Sequence, residues 1–368
     1  MLNSRTVHIF DDAIIANDTI QLYKKTSIPN QFFYVISNKI NKWKNINSEI
    51  KTLPLNGNTP KLINSILEDN DIVFMQALSY EKAKAIYLNK NPTIYFIWAL
   101  WGYALYNILD FYQNNKNSYS TIYKTKKSLI FKLKEWYTFK IIYPRAVRKI
   151  KTCLFLLEAD YNMLQSVIPN KSNWMTSCYQ TINNIFGGGN EFQVAGNAIL
   201  LGNSSTPSNN HLKIFEHIYL SKNQKMIVPL TYGDEKYREK IISHGNQQFE
   251  ESFVPLVEFT TLNQFINKLQ SCQYTIMGHY RQQAFGTILI MLLAGSKLFL
   301  YRKNPLYLWL KEKGVFIYSI EEQLSKELKS PLTKTQKKEN KTTISKLIDE
   351  ATIIKQLELV FEYAKTKR

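Results

Sequence analysis

The sequence has few residues that bind metals or form disulfides, with 3 cysteines and 5 histidines among 368 residues. Cys153, Cys178 and Cys272 are far apart, and no pair of them has the spacing of metal ligands. The histidines form no HxH or HxxxH pattern. The pattern excludes a disulfide framework, and it predicts reduced thiols, no metal site and no cofactor.

The sequence also lacks an apolar run long enough to cross a bilayer. No apolar stretch of signal-peptide length opens the chain, and the longest apolar run covers residues 94–109. That run is shorter than the roughly 20 residues of a spanning helix, and Gly102 and Asn107 interrupt it. We therefore expect a buried or interfacial element there. A chain that is 45% hydrophobic and 21% charged is not of the disordered type.

Acidic residues are scarce beside basic ones, since 29 Asp and Glu stand against 47 Lys and Arg, a formal charge of +18. A basic excess indicates an acidic partner, which could be nucleic acid, anionic lipid or a phosphorylated substrate. Charge alone leaves the choice among these three open.

Short apolar runs alternate with helix-like segments, and this alternation predicts parallel α/β sheets. In the first half the predicted strands are residues 7–10, 31–37, 71–78 and 93–100. The second half alternates more cleanly, with predicted helices that end at Gly245 and Gly295 and one that is capped by Thr261. Length and pattern together predict two doubly wound domains.

Consecutive glycines within residues 182–197 indicate a linker, so the domain boundary is predicted near residue 190. The predicted first domain is then residues 1–190 and the second is residues 191–325. Residues 326–368 are predicted to begin as a Lys-rich linker and to end as a helix.

Residues 118–151 form a basic insert with ten Lys or Arg and a single acid, Glu135. Apolar and aromatic residues fall at helical spacing between the lysines, which suits an anionic bilayer surface. A solvated helix packed on its own domain is the other interpretation. The predicted membrane contacts are Lys124, Lys127, Lys134, Trp136, Arg145 and Arg148.

Two polar segments follow apolar strands and precede helices in the second half, at residues 202–211 and 278–287. Ligands of α/β proteins bind at such strand ends, and phosphates bind well at helix N-termini. Arg281 would add charge, and Gly286 and Thr287 would allow close approach and supply a hydroxyl. The first segment could instead be an ordinary capped loop with Ser208 as N-cap.

Four motifs in this order and spacing (GNSSTPSNNH, VPLTYG, RQQAFGT and RKNPLY) resemble the fucosaminyltransferase family of enterobacterial common antigen synthesis. The segment Trp98 to Tyr106, WALWGYALY, resembles the tryptophan-tryptophan-glycine-leucine-tyrosine pattern of that family. The resemblance is strong over residues 90–110 and 195–310 and slight in the basic insert and the tail.

The resemblance implies a GT-B fold, with two Rossmann-like domains that face each other across a cleft. It implies a metal-independent transfer of 4-acetamido-4,6-dideoxygalactose (Fuc4NAc) from its dTDP form to a polyprenyl-pyrophosphate-linked saccharide. The expected location is peripheral, on the cytoplasmic face of the inner membrane.

The resemblance also suggests site residues. Donor binding is expected at Asn203, Ser204, Ser208, Asn209, Asn210, His211, Tyr232, Arg281, Gln282, Gln283, Gly286 and Thr287. The acceptor side is expected at Trp98, Trp101, Gly102 and Tyr106. The family has an acidic residue where this chain has Ala104, which would fit a different acceptor.

The catalytic base is expected in the first domain. Asp11 and Asp12 follow the first strand and could accept a proton from the acceptor hydroxyl, or they could form a plain turn. The triplet Asp69-Asn70-Asp71 resembles a metal-binding DxD motif, but it precedes a strand and is interpreted as a turn.

Three other functions stay open. The chain could use another nucleotide sugar in a capsule or O-antigen pathway. It could bind nucleic acid through the basic insert, although no RNA-binding motif is present and this partner is not expected. It could also be a scaffold that has lost activity.

Overall fold

The computed structural model describes residues 5–13, 15–39, 49–113, 128–186, 192–259 and 261–367. The chain divides into two compact units. The first comprises the described residues up to 113 together with residues 128–179 and 350–367. The second comprises the described residues from 180 to 349.

The first unit is built on a seven-stranded parallel sheet in the order β3-β2-β1-β4-β5-β6-β7. Its strands are β1 Thr6–Asp11, β2 Gln31–Ile36, β3 Ile50–Leu53, β4 Ile72–Gln76, β5 Tyr95–Ala99, β6 Ile150–Leu154 and β7 Asn173–Met175. Its helices are α1 Ala16–Lys24, α2 Thr59–Ser65, α3 Tyr80–Leu88, α4 Tyr103–Tyr112, α5 Leu129–Tyr137, α6 Tyr143–Val147, α7 Glu158–Val167 and, from the end of the chain, α16 Glu350–Lys367. The central strands β4 and β5 are buried along their whole length, as expected for a sheet covered on both faces.

The second unit is built on a six-stranded parallel sheet in the order β10-β9-β8-β11-β12-β13. Its strands are β8 Ala198–Leu201, β9 Met226–Pro229, β10 Phe253–Leu256, β11 Cys272–Met277, β12 Lys297–Leu300 and β13 Ile317–Ser319. Its helices are α8 Ile182–Ile185, α9 His211–Phe215, α10 Glu235–Phe249, α11 Leu262–Leu269, α12 Phe285–Leu293, α13 Pro305–Glu312, α14 Ile320–Glu327 and α15 Lys334–Leu347. The predicted pair of doubly wound domains is confirmed.

Each sheet has a topological switch point, where the strand order reverses and ligands of α/β proteins bind. In the first sheet it lies between β1 and β4, and Asp11 ends β1 there. In the second sheet it lies between β8 and β11, the two strands that precede the polar segments 202–211 and 278–287.

The boundary between the two units differs from the one predicted from the sequence. It lies between Tyr179 and Gln180 instead of near residue 190, and α16 belongs to the first unit. The predicted Lys-rich linker is instead a helix, α15, which packs on α12. A capping box between Thr333 and Gln336 stabilises the start of this lysine-rich helix.

Local predictions are confirmed at two helix ends and wrong at one. Thr261 caps α11, and Gly295 follows α12 with φ +82°. Gly245 does not end α10, because the helix continues to Phe249 and Gly245 lies against the Phe253 ring. The short strand β3 was not predicted.

The apolar run 94–109 contains all of β5 and most of α4. Gly102, with φ +90°, makes the turn between β5 and α4, and the run is largely buried. The prediction of a buried element is confirmed. Among the helices that the structure describes, none is long and apolar enough to span a membrane.

Candidate active site

The first polar segment leaves β8 at Gly202, which has φ +69°. A Cβ there would lie 2.6 Å from His211 Nε2 and 2.7 Å from Asn209 Oδ1, so only glycine fits the turn. Asn209 is fully buried, accepts from the Asn203 backbone N–H at 2.9 Å and donates to the Ser204 carbonyl at 3.0 Å. The loop is therefore held in shape by one internal amide.

The second polar segment is fixed by two buried asparagines. The Asn210 side chain donates to the Gly278 carbonyl at 2.7 Å. Asn304 donates to the carbonyls of His279 at 3.2 Å and Arg281 at 3.0 Å. Because these amides bridge separate parts of the chain, the backbone around Arg281 is positioned before any ligand arrives.

The two segments meet through polar side chains, of which Ser208 is buried and Arg281 and Gln283 are half-buried. Arg281 Nε donates to Gln283 Oε1 at 3.0 Å, and its Nη2 lies 3.3 Å from Ser208 Oγ. Ser208 donates to Gln283 Oε1 at 2.7 Å, and Gln283 Nε2 donates to Asn203 Oδ1 at 3.1 Å. Asn203 in turn donates to the Tyr232 hydroxyl at 2.9 Å, and Tyr232 is 55% exposed. The sheet thus brings five predicted donor residues into one network: Asn203, Ser208, Tyr232, Arg281 and Gln283.

The helix α12 starts beside this network. Ala284 caps it with φ +56°, and Gly286 and Thr287 stand half-buried in its first turn. The first N–H groups of a helix have no intrahelical partner and attract anions. Together with the Arg281 guanidinium, this terminus can hold a phosphate group.

Several predicted donor residues lie behind the loop surface. The fully or almost fully buried ones are Ser204, Ser208, Asn209, Asn210 and His211. The more accessible ones are Asn203, Tyr232, Arg281, Gln282, Gln283, Gly286 and Thr287. Asn210 is the N-cap of α9, whereas Ser208 lies in a 3₁₀ turn, so the alternative interpretation of Ser208 as N-cap is wrong.

Two buried histidines support the loop as neutral side chains. Burial lowers the pKa of His211 to about 3. Burial and the nearby Arg281 charge hold the pKa of His279 well below its usual range. His279 Nε2 lies 2.8 Å from Asn209 Oδ1, which can only accept, so this nitrogen carries the proton. His279 and Asn304 were not predicted as site residues, and their buried amide and ring contacts leave no clear pattern in the sequence.

In the first unit, Asp11 is the centre of a hydrogen-bonded cluster. Its Oδ1 accepts from Ser79 Oγ at 3.0 Å, and its Oδ2 accepts from the Tyr103 hydroxyl at 2.7 Å. The Lys82 ammonium lies 3.0 Å from the same Oδ2. Asp12 accepts from Ser37 Oγ at 2.7 Å. Asp11 is therefore more than a plain strand-end turn, and its partners Ser79, Lys82 and Tyr103 were missed from the sequence.

The four predicted acceptor-side residues differ in how deeply they are buried. Trp98 is fully buried and packs edge-on against Phe155. Tyr106 is also buried, and its hydroxyl donates to Asp160 at 2.6 Å. Gly102 supplies the turn, and Trp101 is half-buried with its ring 5.9 Å from that of Phe10. Of the four, Trp101 presents the most side chain at the end of the sheet.

The triplet Asp69-Asn70-Asp71 is a turn, as predicted. Asn70 has φ +66°, and Asp71 is fully buried in an ion pair with Arg5, whose Nε lies 2.9 Å from Asp71 Oδ1. In the described part of the chain, no group of three His, Cys, Asp or Glu side chains could hold a metal ion. The three cysteines are buried, and none of them is in a disulfide.

The described part of the basic insert begins with α5, which has no buried residue. Its large apolar side chains are exposed: Leu129, Ile130, Phe131, Leu133, Trp136 and Tyr137. Lys134 and Arg148 are exposed as well, and Arg145 stacks on the Tyr87 ring at 5.5 Å. Lys124 and Lys127, also predicted as membrane contacts, lie outside the described residues.

The fold is that of GT-B glycosyltransferases. Anabaena HepE in complex with UDP-glucose is similar at a TM-score of 0.70 and 10% identity, over 97% of this chain and 99% of that one. A glycosyltransferase from Rickettsia africae matches at 0.63 and 13% identity, with 100% of each chain covered. The N-terminal domain of Candida albicans trehalose-6-phosphate phosphatase matches at 0.66 and 8%, over 99% of this chain and 97% of that one. The predicted GT-B class is confirmed.

The particular family follows from the sequence. Residues 120–347, more than half of the chain, match the family described as 4-alpha-L-fucosyltransferase, glycosyl transferase group 56. The chain belongs to this family and is a glycosyltransferase. The family resemblance predicted from the four motifs is confirmed.

Proposed function

We propose that this glycosyltransferase transfers Fuc4NAc from its dTDP form to a polyprenyl-pyrophosphate-linked saccharide at the cytoplasmic surface of the inner membrane. The observation that supports donor binding is the hydrogen-bonded network at the switch point of the second sheet. There Arg281, Gln283 and Ser208 stand beside the start of α12, and the adjoining Tyr232 is exposed. A charged guanidinium and an open helix terminus suit a pyrophosphate.

This donor site supports a reaction without a metal. The leaving nucleotide diphosphate gains negative charge as the glycosidic bond to it breaks. Arg281 and the free N–H groups of the first α12 turn can stabilise that charge where metal-dependent enzymes use a divalent ion. Asp11, at the switch point of the first sheet, is the proposed proton acceptor for the acceptor hydroxyl.

The membrane half of the proposal rests on α5. Leu129 is 73% exposed, Leu133 60% and Trp136 52%, and lysines stand between them. A packed surface helix would bury one apolar stripe, but α5 buries none. Exposed Leu and Trp beside lysine suit the boundary between acyl chains and anionic headgroups, so lipid is proposed as the partner and nucleic acid is not.

A second donor is favoured by one comparison. The HepE structure holds UDP-glucose, and its fold matches along nearly the whole chain. A capsule or O-antigen transferase that uses a UDP-sugar is therefore the alternative function. Both proposals place the nucleotide at the same switch point, so the choice between them is a choice of nucleotide.

Thermal stabilisation by free nucleotides tests the proposal. The purified chain is heated with dTDP, UDP, GDP or CMP, with and without EDTA. A ligand that binds only the folded state raises the melting temperature by an amount that grows with its affinity and its concentration. We expect stabilisation by dTDP that EDTA does not remove and that Arg281→Ala abolishes.

The matched control is Arg238→Ala, since Arg238 pairs with the exposed Glu235 on α10. It should leave the nucleotide effect intact. Stabilisation by UDP alone would favour the alternative donor. An effect of dTDP that requires a divalent metal would contradict the metal-independent reaction, and no effect of any nucleotide would overturn the donor site.

A further inference from the structure

A fully buried lysine, Lys82, lies beneath the end of the first sheet. Its ammonium contacts Asp11 Oδ2 at 3.0 Å, donates to the Gln76 carbonyl at the end of β4 and lies 3.5 Å from the Ile9 carbonyl of β1. It thus joins the two strands on either side of the switch point. Burial lowers the pKa of Lys82, and the opposing Asp11 charge raises it. Burying an ammonium without a partner costs free energy, so the ion pair with Asp11 stabilises Lys82 in its buried position.

Tyr103 forms the exposed end of the same cluster. It is the first residue of α4, directly after the Gly102 turn, and is 43% exposed. Its hydroxyl donates to Asp11 Oδ2 at 2.7 Å. Because the phenol acts as donor to Asp11, the lone pairs on its oxygen can still accept a hydrogen from a substrate hydroxyl.

We propose that Tyr103 is a catalytic residue that passes the proton of the acceptor hydroxyl to Asp11, with Lys82 as the buried counter-ion that positions Asp11. This inference rests on the proposed function and deepens it, because it names the group that touches the acceptor. Asp11, whose side chain is 24% exposed, then acts through the more exposed phenol.

The step balances in atoms and charge. The acceptor oxygen forms a bond to the anomeric carbon, and the bond from that carbon to the diphosphate oxygen breaks with its electron pair on the nucleotide diphosphate. The acceptor proton moves to the Tyr103 oxygen while the original Tyr103 proton moves to Asp11 Oδ2. Asp11 loses one negative charge and the leaving nucleotide gains one. Lys82 stays protonated throughout.

Burial is the main cause that raises the pKa of Tyr103, with the Asp11 charge second. A free tyrosinate is therefore unfavourable, and the two proton movements must be concerted. The other titratable neighbours are Glu81 and Tyr143, and burial, Glu81 and Asp11 raise the pKa of Tyr143 as well. Tyr143 donates to the Leu78 carbonyl, which leaves Tyr103 as the phenol bonded to Asp11.

The test is Tyr103→Phe in the full chain, with transfer from dTDP-Fuc4NAc to a polyprenyl-pyrophosphate-linked disaccharide as the assay. A lost general acid–base group typically costs about 10²–10⁴-fold in rate. We expect kcat to fall by about 10²-fold or more with KM within about threefold, and dTDP stabilisation to stay as in the unaltered chain. Tyr80→Phe is the matched control, because Tyr80 opens α3 as Tyr103 opens α4 and is 37% exposed.

A second variant tests the counter-ion. Lys82→Met removes the charge at similar length, and we expect kcat to fall by about tenfold or more with KM within about threefold, because no ammonium then holds Asp11 in place beside Tyr103. If Lys82→Met does not fold, Tyr103→Phe still decides the inference.

A Tyr103→Phe variant with unchanged kcat would overturn the relay. If Asp11→Asn were inactive at the same time, Asp11 would act directly on the acceptor and the proposed function would stand. If the unaltered chain bound no nucleotide and transferred no sugar, the proposed function would fail and the relay with it.

Discussion

At the scale of single residues, Gly202 and Gly314 illustrate two different reasons why a position requires glycine. Both have positive φ, +69° and +80°. A Cβ on Gly202 would collide with the buried His211 and Asn209, whereas a Cβ on Gly314 would meet nothing within 4 Å. The first glycine therefore serves close packing at the candidate site, and the second serves only the backbone turn that follows α13.

Alanine at these two positions should have unequal effects. Gly314→Ala should cost about 1–2 kcal/mol for the left-handed backbone alone. Gly202→Ala should cost about 2–5 kcal/mol, because overpacking adds about 1–3 kcal/mol, and it should abolish nucleotide binding. Urea unfolding and nucleotide thermal shift measure both. Equal losses of stability in the two variants would show that Asn209 and His211 can move away from the added methyl group at little cost in free energy.

Asp160 is a buried acid whose folded-state pKa lies above its unfolded value. Burial raises the pKa to about 7, although the hydrogen bond from Tyr106 opposes the shift. A raised carboxyl pKa means that ionisation favours the unfolded chain, so stability falls as the pH rises from about 4 through 7. The size of this effect is about 1.4 kcal/mol per pKa unit.

Asp160→Asn should remove this pH dependence. The variant should gain stability relative to the unaltered chain at pH 8 compared with pH 5, by on the order of 2–3 kcal/mol, because the neutral amide never ionises. Urea unfolding of both proteins at the two pH values gives the difference, in which all other titrating groups cancel. A difference that does not change with pH would mean that Asp160 ionises freely in the folded chain.

At the scale of elements, α5 is unlike the other helices of the first unit because it has no buried residue. Its lysines and exposed apolar side chains have no role in the core of the unit. Substitutions there should therefore leave stability unchanged, within about 0.5 kcal/mol. This independence makes the helix a clean test of membrane contact.

Leu133→Glu should weaken binding to phosphatidylglycerol vesicles by about tenfold or more. Burial of a leucine is worth about 1.5–3 kcal/mol, and each 1.4 kcal/mol is a factor of ten. Co-sedimentation with phosphatidylglycerol and with neutral phosphatidylcholine vesicles measures it. Leu308→Glu on α13, also an exposed leucine at 61%, is the control and should bind as before. Equal binding by the two variants would contradict a membrane role for α5.

At the scale of the whole molecule, the end of the chain completes the first unit. Helix α16 buries Ile353, Leu357, Val360, Phe361 and Ala364. Ser27 N–H donates to Glu358 at 2.7 Å, and Lys25 pairs with Glu350 at the same distance. The stability of the first unit therefore depends on residues that follow the second unit in sequence.

Phe361→Ala should destabilise the first unit by about 3–5 kcal/mol, the usual cost of a large cavity. Nucleotide stabilisation of the second unit should persist, because its network contains no residue of α16. Leu359→Ala on the same helix is the control, since Leu359 is 55% exposed. Hydrogen exchange with assignment to each unit reports the effect. Faster exchange confined to residues 180–349 would contradict the assignment of α16.

The sequence by itself determined the two α/β units, most of the strands, the family and the two polar segments that form the proposed donor site. These follow from local features: apolar runs, turn residues and short motifs such as GNSSTPSNNH. Tyr103 could have been found from its place after Gly102 at a strand end. Lys82 could not, because a lysine in a helical pattern normally faces solvent.

Only the tertiary structure decided which distant residues meet. Strand order places β8 beside β11, and this brings Asn203 and Ser208 to Arg281 and Gln283. Asn209 is buried and supports the loop, whereas Asn203 of the same motif is accessible and belongs to the proposed donor residues. The return of α16 to the first unit is a long-range packing choice. Such contacts are set by the shape and burial of both partners, and neither segment carries that information alone.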